Sequence, residues 1–286
     1  MLLIPAQSGR LIVFQLKTRA MAVLERIKHH DLEGLRTGHF NLMVNTSFVL
    51  YRLGDTLIDA GPRNQWRHIR RFIDERAVRQ LLLTHFHEDH SGSAAQIAQY
   101  AKVTPRASEE TGRILRHGFP IQLYRRLMWR AAEKVITRPF QPDMLINGRD
   151  PVLPIATPGH TPDLNCFLLP QRGWLFSGDM YISSRLKLLA REENLVELIS
   201  SLETLLSHDF DTLLCPHRGV VSDGKQALRR KHQNLLELVG QAQHMHYSGL
   251  PVQQITRQLL GPETAMSFLT GFHFSKRHLI NACLQV

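Results

Sequence analysis

Cysteine is scarce in this chain of 286 residues: Cys166, Cys215 and Cys283 are the whole set. They lie far apart, and no pair has the spacing of a redox motif or a thiolate metal site. A disulfide framework is therefore excluded, and a reducing, cytoplasmic setting is expected. Long apolar runs are missing too. None approaches the roughly 18–20 residues that a bilayer-spanning helix needs. The opening Met1-Leu2-Leu3-Ile4-Pro5 has no basic leader, and its apolar stretch is too short for a signal peptide. There is no Gly-rich phosphate loop and no G-x-S-x-G, which argues against P-loop enzymes and nucleophile-elbow hydrolases. Aromatic residues make up 7 % of the chain. Neither of its basic stretches, Arg106–Arg138 and Lys225–Lys231, interleaves them with arginine as a nucleic-acid module would.

Apolar residues at 43 % and charged residues at 21 % are the proportions of a soluble globular protein. The length suits one large domain, or a domain with an appendage. The net charge is +10. Such a surface attracts anionic substrates, nucleic acid or lipid headgroups.

Histidine is concentrated in one place. Residues 84–92 read Thr84-His85-Phe86-His87-Glu88-Asp89-His90-Ser91-Gly92, the pattern H-x-H-x-D-H. Imidazole suits zinc, iron and other transition metals, and an added carboxylate fits a catalytic rather than a closed structural site. The preceding Gln80-Leu81-Leu82-Leu83 reads as a buried strand that delivers these ligands to a loop. Three later segments repeat the grammar of strand, turn and one donor. Val152–Ala156 leads to Gly159-His160-Thr161-Pro162. Trp174–Ser177 leads to Gly178-Asp179, and Phe210–Cys215 leads to Pro216-His217. Glycine and proline allow the tight turns that bring such ends to one rim.

These segments, with Leu57-Ile58-Asp59-Ala60-Gly61-Pro62 before them, resemble the metallo-β-lactamase superfamily, in order and over roughly residues 40–222. The likeness is to the glyoxalase II, lactonase and phosphodiesterase-like branches. A class B1 β-lactamase has a cysteine where Asp179 stands. The last motif departs from the commoner Pro-Gly-His-Gly, since Cys215-Pro216-His217-Arg218-Gly219 replaces it. The resemblance implies an αββα four-layer sandwich over residues 1–222, with a helical insertion at about 107–137 and a helical extension over 223–286. It implies two divalent ions, zinc foremost, with iron and manganese suited to the same donors. His85, His87 and His160 would hold one ion, Asp89, His90 and His217 the other, and Asp179 both. Asp89 and Asp179 would be the catalytic carboxylates. The implied reaction is hydrolysis of an ester, thioester or lactone by a hydroxide between the ions. A phosphodiesterase or nuclease is the alternative favoured by charge. A metal-binding sensor or interaction protein without turnover is a third.

Asp59 reads either as a turn former or, as the resemblance implies, as the carboxylate beneath the metal site. Asp163 reads equally as a cap of the next turn or as a group orienting His160. Within the insertion, Ser108-Glu109-Glu110 is a helix start and Gly118 with Pro120 its stop. A second helix is expected from Ile121 to Ile136, with Ile121, Tyr124, Leu127, Met128, Ala131, Ala132 and Val135 at helical spacing. Core packing explains that stripe most simply. The sharper reading is a lid whose Leu123, Tyr124 and Trp129 line a substrate pocket, with Tyr181 a further candidate. The expected C-terminal helices are Lys225–His246, Val252–Leu260, Glu263–Leu269 and Ser275–Cys283, and homodimerisation or a pocket wall is their expected role. The expected partner is a small acyl or anionic molecule rather than nucleic acid.

Overall fold

The computed structural model describes residues 23–38 and 47–286. The run Leu11-Ile12-Val13-Phe14, which by its apolar and β-branched residues reads as a strand, lies outside the described residues. The first sheet runs in space as in sequence: β1 (Val23–His29), β2 (Leu32–Gly38), β3 (Phe48–Leu53), β4 (Thr56–Ile58), β5 (Gln80–Leu82), β6 (Arg106–Ala107) and β7 (Arg138–Pro139). Pairing is antiparallel from β1 to β4 and parallel from β4 to β7. A small hairpin of β8 (Leu145–Ile146) and β9 (Asp150–Pro151) leads to the second sheet. That sheet begins with β10 (Leu153–Ala156), β11 (Asn165–Leu169) and β12 (Trp174–Phe176). After β13 (Leu189–Ala190), it continues with β14 (Thr212–Cys215), laid parallel to β12, and β15 (Gly219–Val221). β13 pairs instead with β16 (Phe274–Ser275), far along the chain.

Side chains on successive strand residues point to opposite faces, and here both faces are covered. Val49, Tyr51 and Leu53 of β3 meet Phe167, Leu169 and Phe176 of the second sheet in one core between the sheets. Phe48 and Leu50, the alternate residues of β3, pack outward on helices. Cys166 and Leu168 of β11 do the same on the far side. A strand buried on both faces reads as a continuous apolar run, as Phe48–Tyr51 and Cys166–Leu169 do.

Helices complete the sandwich. On the first sheet lie α1 (Trp66–Asp74), α3 (Ala94–Ala101) and α4 (Glu109–His117), which give Phe72, Ile97 and Leu115 to the core. Between α1 and α3 comes one short turn, α2 (Glu88–Ser91). Ser108 caps α4 by accepting from the amide of Thr111 at 3.1 Å. α5 (Leu123–Trp129) is shorter than the expected Ile121–Ile136. Arg130 takes a left-handed φ of 65° and ends it. The chain then turns back, with the amide of Val135 on the carbonyl of Leu115 and that of Arg138 on Pro105. The apolar stripe is broken with it: Val135 is buried, whereas Leu127 and Ile136 are exposed.

On the second sheet lie α6 (Leu195–Leu206), α7 (Gly224–Tyr247) and α10 (Lys276–Cys283). Leu202, Leu228 and Leu279 share a core with Leu175 and Leu213. Apart from β16, the elements after residue 223 are thus helices, and they supply much of the fourth layer. α8 (Val252–Leu260) and α9 (Ala265–Leu269) fill the path between α7 and α10. Among the described residues, no helix is long and apolar enough to cross a membrane.

Candidate metal centre

The site forms where strands of both sheets end on one rim. β4 and β5 run parallel, and β12 and β14 run parallel, so their C-terminal ends emerge together. Asp59 follows β4, and His85 to His90 follow β5. His160 follows β10, Asp179 follows β12, and His217 follows β14. The amide of Asn165 reaches across to the carbonyl of Thr84 at 2.9 Å and joins the two sheets at this rim.

Local structure explains the six-residue cluster. The chain bends at Thr84 and again at Phe86, and these bends bring the rings of His85 and His87 together. The turn α2 then reverses the chain, with the amides of His90 and Ser91 on the carbonyl of His87 at 3.0 and 2.8 Å. That turn carries Asp89 and His90 back to the same place. Further along, Gly159 has a φ of 125°, and a Cβ there would stand 2.4 Å from the backbone nitrogen of Leu198. Glycine alone fits so close to α6 in that conformation.

Seven side chains converge, all of them buried, in two groups. In the first, His87 Nδ1 lies 3.1 Å from His85 Nε2 and 3.0 Å from His160 Nε2. His160 Nε2 is 3.2 Å from Asp179 Oδ2. In the second, Asp179 Oδ1 lies 3.1 Å from both His90 Nε2 and His217 Nε2. Asp89 Oδ2 stands 3.7 Å from His217 Nε2 and 4.0 Å from His90 Nε2. The two oxygens of Asp179 therefore face different groups.

This donor set fits metal. Donors at about 2.0–2.1 Å from a tetrahedral zinc stand roughly 3.3 Å from one another, which the first group approaches. His90 Nε2 and Asp179 Oδ1 are buried and unsatisfied by any hydrogen bond, although they lie close together. Buried polar atoms rarely stay unsatisfied, and those that do call for an explanation such as an ion.

The outward nitrogens of four imidazoles are each held from behind. His90 Nδ1 meets Asp59 Oδ2 at 2.8 Å, and His160 Nδ1 meets Glu193 Oε1 at 2.6 Å. His217 Nδ1 meets the carbonyl of Ser47 at 3.1 Å, and His85 Nδ1 the hydroxyl of Thr84 at 3.0 Å. Such partners fix tautomer and ring orientation, so that the opposite nitrogen is the one turned toward the cluster. Asp59 also accepts the amide of Thr84 at 2.7 Å, and it does so with its backbone at a left-handed φ of 63°. Its position is beneath the cluster, not in an ordinary turn. Asp163 does not orient His160. Its carboxylate accepts the amide of Phe86 at 2.9 Å and the hydroxyl of Thr111 at 2.7 Å, so it steadies the loop between His85 and His87.

Electrostatics follow from this crowding. Burial holds His85 and His87 well below the usual imidazole range, which keeps them in the neutral form that binds metal. Burial opposes the charge on Asp179, but His90 and His217 outweigh it and hold the carboxyl well below its usual value. For His160, burial is outweighed by Asp179 and Glu193, and the imidazole is pushed up to about 9.

A cavity of about 480 Å³ opens above the cluster. Tyr124 and Trp129 of α5 line it. Leu123 does not: it is 72 % exposed on the outer side of α5, because a neighbour in a helix points about 100° away. Tyr181 is buried in the core under the second sheet and is likewise absent from the lining. Sequence reasoning missed three groups here. Thr84 and Glu193 back two of the imidazoles. Arg125 of α5 forms a buried ion pair with Glu88, at 2.5 Å. Glu193 sits beside Glu192 before a helix, where an acidic residue signals only a helix start. In sequence the pair Arg125-Arg126 reads as charge open to an anionic substrate, and nothing there shows that Arg125 is taken up by Glu88.

The family model of the metallo-beta-lactamase superfamily matches residues 40–220. An uncharacterized protein from Bacillus subtilis (strain 168), YobT, is 29 % identical over 147 residues, 44 % of this chain. The match spans 57 % of that relative's length. A beta-lactamase domain protein from Burkholderia ambifaria has a similar structure, with a TM-score of 0.70 at 18 % identity, over 91 % of this chain and 88 % of that one. A metallo-beta-lactamase family protein from Thermus thermophilus gives 0.63 at 17 % identity, over 93 % of each chain.

Proposed function

Because the chain belongs to the metallo-beta-lactamase superfamily, we propose that it is a two-metal hydrolase of esters, thioesters or lactones. His85, His87 and His160 would hold one ion and Asp89, His90 and His217 the second, and Asp179, which faces both groups, would serve the two. The observation that carries this reading is Asp179, whose Oδ2 faces His160 while its Oδ1 faces His90 and His217. Zinc is the first choice of metal, since imidazole and carboxylate suit it; the metallo-beta-lactamase FIM-1 from Pseudomonas aeruginosa, similar at a TM-score of 0.55 and 16 % identity over 74 % of this chain and 94 % of that one, is described in a mono-zinc form.

Bound divalent ions supply an acidified water and a polarised substrate oxygen. The chain does the rest. Asp59, Thr84, Glu193 and the carbonyl of Ser47 hold the imidazoles in register. Asp89 stands farther from its histidines than Asp179 does, and its carboxylate can accept a proton from the attacking water while orienting it. Trp129, Leu186 and Leu198 give the cavity an apolar wall that excludes bulk water and receives an acyl group. No side-chain nucleophile is needed. We assign residues 1–222 to the catalytic unit and 223–286 to its helical extension. Three buried free cysteines suit a cytoplasmic setting.

A second reading, phosphodiester hydrolysis, is favoured by the basic side chains of the cavity. Screening metal-loaded protein on p-nitrophenyl acyl esters, acyl thioesters, lactones and bis-p-nitrophenyl phosphate separates the two. Turnover of the acyl series above the phosphodiester supports the proposal. Metal-replete protein without turnover of any of them would leave the sensor reading in its place.

A further inference from the structure

The family match ends at residue 220, but a side chain from beyond it enters the cavity. Lys231, in the third turn of α7, is 3 % exposed and lines the cavity beside the metal centre. Its Nζ donates to the carbonyl of Met180 at 2.6 Å, one residue past Asp179. A lysine ammonium has three donors, and among the described residues no carboxylate lies within ion-pair distance of this one. Burial pushes the amine down to about 8, with Glu193 and Asp179 pulling the other way, so it is still charged at neutral pH. A buried cation without a paired anion is costly.

The other charges of the cavity are lopsided in the same sense. Three carboxylates line it: Asp89, Asp179 and Glu193. Two of these face the imidazoles of the metal centre, and the third is bonded to His160. Five cations line it: Arg125, Arg185, Lys187, Arg218 and Lys231. Arg125 is paired with Glu88. The remaining four have no carboxylate partner among the described residues, although Arg218 donates to the carbonyl of Ile182 at 2.8 Å. Arg185 and Lys187 are exposed, and Ile182, Leu186 and Leu188 alternate with them along one cavity-lining segment. The cavity thus offers apolar wall, metal centre and uncompensated positive charge together.

We infer that the cavity takes an acyl compound bearing a second anionic group, a carboxylate or a phosphate, met by Lys231 inside and by Arg185 and Lys187 at the rim. This rests on the hydrolase reading above and adds the class of substrate to it. A carboxylate close to the scissile carbonyl meets Lys231, whose Nζ is held at the carbonyl of Met180, the residue after Asp179. A phosphate at the end of a longer arm meets the rim.

Two matched pairs of substrates test it on the metal-loaded full chain. Mono-p-nitrophenyl glutarate is compared with neutral p-nitrophenyl valerate, and butyryl-coenzyme A with the neutral N-acetylcysteamine thioester of butyrate. One charge-assisted hydrogen bond predicts a preference of about tenfold to a hundredfold in kcat/KM for the anionic member of at least one pair. Loss of that ratio in Lys231→Met assigns the carboxylate. Loss in Arg185→Gln/Lys187→Gln, with a salt-dependent ratio in the wild type, assigns the phosphate. Calorimetric titration with glutarate and with butyrate gives a readout apart from turnover. Either acid can place one carboxylate on the metal centre, but only glutarate has a second for Lys231. Tighter glutarate binding that Lys231→Met abolishes supports the inference, and if that variant does not fold, Lys231→Gln takes its place. Neutral members turned over as well as anionic ones overturn the inference while leaving a hydrolase. No turnover of any of the four, with glutarate still preferred, overturns the hydrolase reading and keeps the anion site.

Discussion

On the floor of the cavity, seven ligand-type side chains are buried, and four of the five imidazoles among them are held from behind at 2.6–3.1 Å. On its wall, the segment from Ile182 to Leu188 and the short helix α5 are half-exposed and contribute side chains of mixed chemistry. The floor is specified by contacts that leave little choice of residue. The wall is specified by shape and net charge, which many sequences satisfy. Reactivity belongs to the first and substrate choice to the second, and replacements should separate along that line.

The largest effect is expected at the floor. Asp179→Ala removes the one carboxylate that faces both groups. Turnover should fall by roughly a thousandfold or more, as for loss of a bridging ligand in a two-metal site, while circular dichroism stays that of the folded protein. Near-normal activity in this variant would falsify the bridging role.

The wall contains one group whose effect appears in stability. Lys231 is held at about 8 in the fold, against 10.5 as its ordinary value. Between these values the unfolded chain binds the proton more tightly, so stability rises with pH through that window. The gain is about 3 kcal/mol at most. It should vanish in Lys231→Met, measured by denaturant unfolding at pH 7.5 and 10.5. Equal pH dependence in both proteins would show that the amine is not desolvated.

Glu193 tests the backing of the floor. Removing a carboxylate that orients a ligating histidine typically weakens metal binding by about 10- to 100-fold. Glu193→Ala should show this in competition with a chelator. His160 adds a pH dependence. Its imidazole is pushed up to about 9, so below that pH an incoming ion must displace its proton. From this group alone, affinity should rise by up to about tenfold per pH unit and level off above about 9.

How far these two regions were legible in the sequence follows the same division. His85, His87, Asp89 and His90 announce themselves because they crowd one loop. His160, Asp179 and His217 do so because each follows an apolar strand and a turn. Strands buried on both faces read as apolar runs, as Phe48–Tyr51 of β3 does. Glu193 and Thr84 were not legible, since their role depends on which imidazole lies opposite in space. The extent of α5 was misread: spacing carried the helix to Ile136, but the left-handed Arg130 stops it at Trp129. Leu123 then faces solvent, and Lys231, placed by sequence within a basic run, turns inward.

The smallest effect follows from that correction. Trp129 lines the cavity, so Trp129→Ala should flatten the preference among acyl chain lengths, by about fourfold per methylene if each contributes about 0.8 kcal/mol. Leu123→Ala should leave the profile as it is. A chain-length profile that Leu123→Ala alters and Trp129→Ala does not would invert the assignment of the two faces of α5.

Metal content tests the central claim most directly. Protein produced with ample zinc, iron and manganese, then analysed for all three elements, should carry two ions per chain, from the two groups of ligands. His85→Ala/His87→Ala should retain one, having lost two donors of the first group. Trace metal in the wild-type protein, or an unchanged content in the double variant, would contradict a two-ion centre built by these residues.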